Sequence, residues 1–190
     1  MLGGKCRYCK TKISAQYPVI EAVNGFGYVL IFIMSGFNFT GILYALCFSM
    51  LTAITVIDWR TYEIPLGLNI TILVLGAIHL ALDYHNFLYY LIGMVSVSGF
   101  LLLLFIITGG RGIGGGDIKL MFAAGLLLGW KHIILALVIG CIIGSIVHLT
   151  LMRIKGKGRV LAFGPYLSIG IFTVMLFGSQ ILDWYIGLLF

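Results

Sequence analysis

Residues 87–117 read FLYYLIGMVSVSGFLLLLFIITGGRGIGGGD. From Phe87 to Ile107 there is no Asp, Glu, Lys or Arg, and about 20 such residues are what an α-helix needs to cross the hydrocarbon core of a bilayer. A membrane-spanning strand would alternate apolar and polar residues over about ten positions; this run is continuous, so a helix is the reading. It stops in a glycine-rich stretch that ends on an acid, Asp117, and a further apolar run follows at once. One membrane span, a short turn, an acid and another span set the pattern for the chain.

Working outward, apolar runs cover 22–37, 40–57, 66–82, 87–107, 118–130, 133–152 and 163–178, with a short tail from Ile181 to Phe190. These predict about seven spans, the fifth unusually short, in an all-α polytopic transmembrane bundle. Composition agrees: 61% of the 190 residues are hydrophobic and 9% charged, against about 45–50% and about 25% in soluble domains. The chain divides into a basic head, 1–21, and a membrane domain, 22–190. No internal repeat and no cleavable signal peptide is evident.

The 12 Lys and Arg outnumber the 6 Asp and Glu, and their placement argues for orientation rather than nucleic-acid binding. With the head on the cytoplasmic side, that side receives Lys5, Arg7, Lys10, Lys12, Arg60, Arg111, Lys119, Arg153, Lys155, Lys157 and Arg159, leaving only Lys131 outside. This obeys the positive-inside rule and supports the span count. Asp83 and Asp183 fall outside and read as solvated loop residues.

Four acids lie on the inner side. Glu21 reads as an interfacial residue and Glu63 as the solvated partner of Arg60. Asp58 differs, because it closes an apolar run at the inner end of the second span, and Asp117 opens the fifth directly after Gly114-Gly115-Gly116. The topology puts both at helix ends of similar depth, where they either meet or stand as independent helix-end acids. Two close carboxyls in a low-dielectric site share one proton, so one serves as base toward a water and the other as acid toward a carbonyl. Asp117 at a helix N-terminus and Asp58 at a C-terminus see opposite ends of a helix dipole, so Asp58 is expected to hold the shared proton.

Gly110 to Gly115 formally matches G-x-G-x-x-G, but a dinucleotide site needs a preceding strand, and a membrane span precedes here. Bare backbone at Gly114, Gly115 and Gly116 would let an extended peptide approach Asp117. Cys6 and Cys9 form one C-x-x-C, half of a tetrahedral zinc set, so no metal ligand is assigned. Cys47 and Cys141 read as small apolar fillers, Gly140-x-x-x-Gly144 as a helix-packing face. None of His79, His85, His132 and His148 is given chemistry.

Val56-Ile57-Asp58 with Ile64-Pro65, then Gly114-Gly115-Gly116-Asp117-Ile118-Lys119-Leu120, then Phe163-Gly164-Pro165-Tyr166 resemble the signatures of the type IV prepilin peptidase family, membrane aspartic proteases of the G-x-G-D type. The resemblance runs from Cys6-Arg7-Tyr8-Cys9 and Tyr17-Pro18-Val19-Ile20-Glu21 to the last span. It implies that Asp58 and Asp117 are the catalytic pair, and that the substrate is a prepilin or pseudopilin whose basic leader is cut at the cytoplasmic face of a bacterial or archaeal plasma membrane. Gly114, Gly115, Gly116 and Lys119 are the expected substrate contacts, Lys119 either meeting substrate or snorkelling to the interface. The peptidase chemistry needs no cofactor. An additional helix and a first C-x-x-C, usual in the family before the position of Met1, have no counterpart. The family's zinc and its S-adenosylmethionine-dependent N-methylation are therefore left open, as is the choice among a peptidase-only form, a truncated chain and a mis-started reading frame. A presenilin-like protease would carry its first aspartate in a Tyr-Asp pair in mid-membrane, whereas Ile57 precedes Asp58 at a span end. A transporter or scaffold using the same acids for protons or a basic partner is the alternative from another class.

Overall fold

A computed structural model describes residues 8, 9, 11, 14–155 and 162–189. Lys5, Cys6, Arg7, Lys10, Lys12, Lys157 and Arg159 lie outside them. Among the described residues there are seven α-helices and no strand: α1 Gln16–Ser35, α2 Phe39–Thr61, α3 Leu66–Leu82, α4 Phe87–Ile107, α5 Gly115–Leu128, α6 Trp130–Lys155 and α7 Gly164–Leu189. A 3₁₀ turn, Tyr84–Asn86, joins α3 to α4. The protein is a multi-pass helical bundle, as its sequence implies.

The third and fourth spans match the apolar runs residue for residue. Elsewhere the boundaries differ: α2 and α6 overrun their runs at both ends, while α1 and α5 start earlier and stop two residues short. α1 begins at Gln16 and takes Glu21 into the helix. α7 runs on through Ser179 and Asp183, so the expected separate tail is part of one continuous helix and Asp183 is an exposed helical residue. A single polar side chain does not end a helix; the backbone hydrogen bonds continue past it.

Five segments are long and apolar enough to cross a bilayer: α1, α2, residues 84–107, most of α6 and most of α7. α3, with 17 residues, is shorter, and α5 has only 14, about 21 Å at 1.5 Å per residue. That is less than the hydrocarbon thickness of about 30 Å. α5 escapes the requirement because protein covers most of it. Leu120, Met121 and the whole stretch Ala123 to Leu128 are buried, chiefly against α3 and α4, with α6 and α7 closing the remainder. Lipid meets the outer helices instead, through exposed residues such as Ile33, Ile106 and Ile142.

Close helix crossings hold α5 in place. Gly93 of α4 and Gly125 of α5 touch through their backbones: a methyl at Gly93 would lie 2.5 Å from the Gly125 carbonyl oxygen. Without a hydrophobic driving force between helices in lipid, such small-residue contacts supply the packing. The Gly140-x-x-x-Gly144 face plays this part on α6, where Gly140 meets Tyr166 and Leu167 of α7 and Gly144 meets Tyr166 and Phe163, the residue before that helix. α1 sits at the edge, attached through Ile31 to Ala45, Phe48 and Leu176. Cys47 is a buried filler as expected, but Cys141 faces outward and is exposed.

At the end of the bundle away from the aspartates, Asp83 is more than a solvated loop acid. It accepts hydrogen bonds from the Tyr90 hydroxyl at 2.8 Å and from the Asn86 side chain at 3.1 Å. The Tyr90 and Asn86 bonds hold its carboxyl below the ordinary carboxylate range. Tyr89 pairs with His132 Nδ1 at 2.7 Å beside it.

Candidate active site

Asp58 and Asp117 stand at the same end of the bundle and are both buried, 4% and 7% exposed. Asp58 is three residues from the end of α2. The helix stops at Tyr62, which adopts left-handed geometry (φ 58°) and donates its N–H to the Asp58 carbonyl at 2.9 Å. Tyr62 is the one non-glycine residue with positive φ among the described residues, a conformation that an L side chain adopts at a cost. The reversal sends the chain through Ile64 to Pro65, whose extended backbone starts α3.

The glycine run splits into two devices. Gly109 and Gly110 have φ of 60° and 76° and end α4: Gly109 N–H donates to the Ile106 carbonyl and Gly110 N–H to the Phe105 carbonyl. This is the Schellman closure, which glycine permits without strain. Gly114 then begins α5, so Gly115 and Gly116 are helical rather than loop backbone and Asp117 is the third residue of the helix. Its carboxyl turns back over Gly114, where a methyl would lie 3.0 Å from Asp117 Oδ2.

Ile64 ties the two halves together. A methyl at Gly116 would come within 3.0 Å of Ile64 Cβ, and one at Gly164 within 3.2 Å of Ile64 Cδ1. Gly164, the first residue of α7, donates its backbone N–H to Asp58 Oδ2 at 2.9 Å, a buried bond. Asp58 and Asp117 are thus linked through one side chain, Ile64, which packs on the glycine before Asp117 and on the glycine that donates to Asp58. The N–H from the start of α7 reduces the dipole asymmetry expected between the acids. Asp58 ends its own helix but also faces the N-terminus of α7, so each acid has a helix N-terminus beside it.

The remaining predicted contacts distribute as follows. Gly115 is exposed with open space around its Cα, Gly116 packs on Ile64, and Gly114 flanks the Asp117 carboxyl. Lys119 is exposed, one step beyond Asp117, at the edge of a cleft between α3, α4 and α5. Arg60 pairs with the Gln16 side chain rather than with Glu63. Cys9 is exposed, Cys6 lies outside the described residues, and no group of three His, Cys, Asp or Glu gathers among those described.

The hydrogen bond from Gly164 to Asp58 and the spacer role of Ile64 were not foreseen from sequence. Gly-Pro at the opening of an apolar run does signal a helix N-terminus. Nothing local tells which acid that terminus will face across 106 residues.

Residues 45–149 match the type IV leader peptidase family, and residues 1–35 match the bacterial peptidase A24 N-terminal domain. The chain is 30% identical to the prepilin leader peptidase/N-methyltransferase of Legionella pneumophila over 98% of its own length and 68% of that protein's. It is 32% identical to the proteins of that name from Aeromonas salmonicida, over 98% of the chain and 66% of the relative, and from Pseudomonas aeruginosa, over 97% and 66%. It thus spans about two thirds of the length of these relatives. No solved structure gives a significant match. A model matched over more than half of the residues, and relatives aligned almost end to end, establish that the chain belongs to the type IV leader peptidase family.

Proposed function

We propose that this protein is a membrane aspartic endopeptidase that removes the basic leader of type IV prepilins or pseudopilins, with Asp58 and Asp117 as its catalytic pair. The observation that carries the reading is the burial of two carboxyls, from helices far apart in sequence, at one end of the bundle, where Ile64 packs both on Gly116 beside Asp117 and on Gly164, whose N–H Asp58 accepts. Sharing one proton, they divide the work. The ionised carboxylate takes a proton from a water as that water attacks the scissile carbonyl, and the protonated partner gives its proton to the carbonyl oxygen. The proton taken from water then passes to the leaving nitrogen; as the C–N bond breaks, a hydroxyl of the tetrahedral intermediate returns its proton to the other acid, leaving a carboxylic acid product, a free amine and the pair with its one proton.

Gly115, open and in the first turn of α5, offers an unsatisfied backbone N–H to an incoming peptide. The distribution of basic residues supports a cytoplasmic orientation of this end of the bundle. N-methylation, the second half of the relatives' printed names, and S-adenosylmethionine are no part of this proposal.

The test is cleavage of a prepilin by detergent-solubilised protein, wild type against Asp58→Asn and Asp117→Asn. Both variants are expected to lose cleavage by at least about a thousandfold while keeping the wild-type melting temperature. Cleavage at the wild-type rate by either one rejects the dyad. If wild type and both variants leave prepilin intact, the transporter or scaffold reading takes its place.

A further inference from the structure

At the end of the bundle away from the aspartates, all seven helices wall one cavity of about 290 Å³. That is the lower end of the range for small-ligand sites, about 300–1,000 Å³. Five rings line it, Tyr44, His79, Tyr90, Tyr89 and His132, and they adjoin in that order with centroids 6.3, 5.2, 5.3 and 6.4 Å apart. Tyr90 stands at 83° to His79 and at 84° to Tyr89, and Tyr89 at 81° to His132, as the sides of a box meet. Ser179 and Gln180 of α7 are exposed and mark the mouth. Polar atoms make up most of the open surface of the wall, so its hydrogen-bonding groups face the space itself.

The charge around the cavity selects its occupant. Among the described residues that line it there is no Lys, Arg, Asp or Glu. One fixed charge stands directly behind the wall: the Asp83 carboxylate accepts the Tyr90 hydroxyl at 2.8 Å. Its hydrogen-bond partners, Tyr90 and Asn86, are both neutral, so no cation among them cancels that charge. Lys131 is occupied elsewhere, its Nζ 5.6 Å from the centre of the Trp130 ring. The faces of aromatic rings are themselves negative and attract ammonium groups. An anion would meet both the rings and Asp83, and a hydrocarbon chain would leave the polar wall atoms without partners. Depth gives a further clue. Tyr84, Trp130 and Trp184 are exposed around this end, as in the aromatic belts that mark the headgroup level of a bilayer.

We propose that this cavity binds an ammonium group, held by cation–π contact with Tyr44, Tyr89 and Tyr90 and by the field of Asp83, while Ser179 and Gln180 hydrogen-bond the oxygen-bearing group attached to it. Two sources offer that chemistry: the ethanolamine headgroup of a membrane lipid at the same depth, and a free small amine from the aqueous side. The site is at the opposite end of the bundle from Asp58 and Asp117, and it stands whether or not the peptidase reading does.

The experiment is calorimetric titration of the detergent-solubilised protein with choline and with its uncharged isostere, in which a tert-butyl group replaces the trimethylammonium. Wild type is expected to bind choline at least about tenfold more tightly than the alcohol. Tyr89→Phe, which keeps the ring, should stay within about threefold of wild type, and Tyr89→Leu, which removes it, should lose about tenfold. Ser179→Arg tests the site from an exposed position: a positive charge at the mouth should weaken choline about tenfold, whereas Gly187→Arg, in open space farther along α7, should match wild type. Equal affinity for choline and the alcohol, or wild-type affinity for choline in Ser179→Arg or in folded Tyr89→Leu, overturns the proposal. Nanodiscs distinguish the sources. A higher melting temperature in phosphatidylethanolamine than in phosphatidylglycerol, lost in Ser179→Arg, assigns the site to the lipid headgroup. Choline binding without that lipid dependence assigns it to a free amine. No choline binding up to about 50 mM, with no such lipid dependence, overturns the proposal.

Discussion

Gly164→Ala is the most direct probe of the site, because the structure sets its magnitude. A methyl at residue 164 would sit 2.8 Å from Asp58 Oδ2 and 3.1 Å from Asp58 Cγ, whereas ordinary contact starts near 3.4 Å. It cannot swing aside, since Ile64 Cδ1 stands 3.2 Å away. The Asp58 carboxyl must therefore move by about 0.6 Å, more than the roughly 0.5 Å within which catalytic groups need to be held. A misplacement of 1 Å costs about a hundredfold, so kcat should fall about 10- to 100-fold, or about 1.4–2.7 kcal/mol in the barrier. Substrate binding elsewhere is untouched, and KM should stay within about threefold.

The assay is prepilin cleavage in detergent, with the melting temperature as the check on folding. Gly164→Pro refines it. Proline is tolerated in the first turn of a helix, adds the same β-carbon, and removes the N–H that Asp58 Oδ2 accepts. It should lose at least as much as Gly164→Ala. A folded Gly164→Ala protein with wild-type kcat would refute the idea that the start of α7 positions Asp58.

Combining Asp58→Asn with Asp117→Asn should cost no more than either alone, because a pair acting as one unit is lost once; multiplicative losses in single-turnover cleavage would contradict this. Gly125→Ala forces a methyl into the Gly93 carbonyl and should destabilise by about 1–3 kcal/mol, seen as a lowered melting temperature. Tyr62→Gly relieves the left-handed backbone at the end of α2 and should stabilise by about 1 kcal/mol, raising the melting temperature. Asp83, held below its ordinary range chiefly by the Tyr90 hydroxyl, contributes stability that is present above about pH 3.9 and lost as the pH falls through its lowered folded value. In Tyr90→Phe the drop in melting temperature on acidification should therefore be smaller than in wild type.

What the sequence made legible depended on how local the cause was. Residues 66–82 and 87–107 match α3 and α4 because unbroken apolar runs flanked by Pro65 and by glycines carry their own boundaries. The starts of α1 and α5 were placed late, since Tyr17 to Glu21 and Gly115-Gly116 are poor in apolar signal yet helical once neighbours hold them. Alternation of the spans put Asp58 and Asp117 at one end of the bundle. It could not supply Ile64 between Gly116 and Gly164, or the approach of α7 to Asp58, because those depend on which helices adjoin. Asp83 read as a loop acid because its partner Tyr90 lies inside an apolar run, where a tyrosine looks like any other aromatic.

The convergence of helix starts has a chemical consequence. Asp117 lies in the first turn of α5, and Asp58 receives the first N–H of α7. Two helix N-termini thus face one carboxyl pair, each carrying roughly half a positive charge at its end. In the proposed dyad one proton between the two carboxyls would leave a single negative charge, and these dipoles would offset part of the cost of burying it away from water. They are fixed by the fold and need no reorganisation as the proton moves from one acid to the other. A short α5 is therefore a requirement of the site as well as a packing solution: a helix long enough to cross the whole bilayer would carry Asp117 out to the aqueous surface, beyond Asp58. Lengthening α5 by one turn at its glycine start should separate the acids and abolish cleavage, while an equal insertion at exposed Gly187, near the far end of α7, should leave cleavage intact. Activity in the first insertion variant would show that the pair does not depend on the depth at which α5 begins.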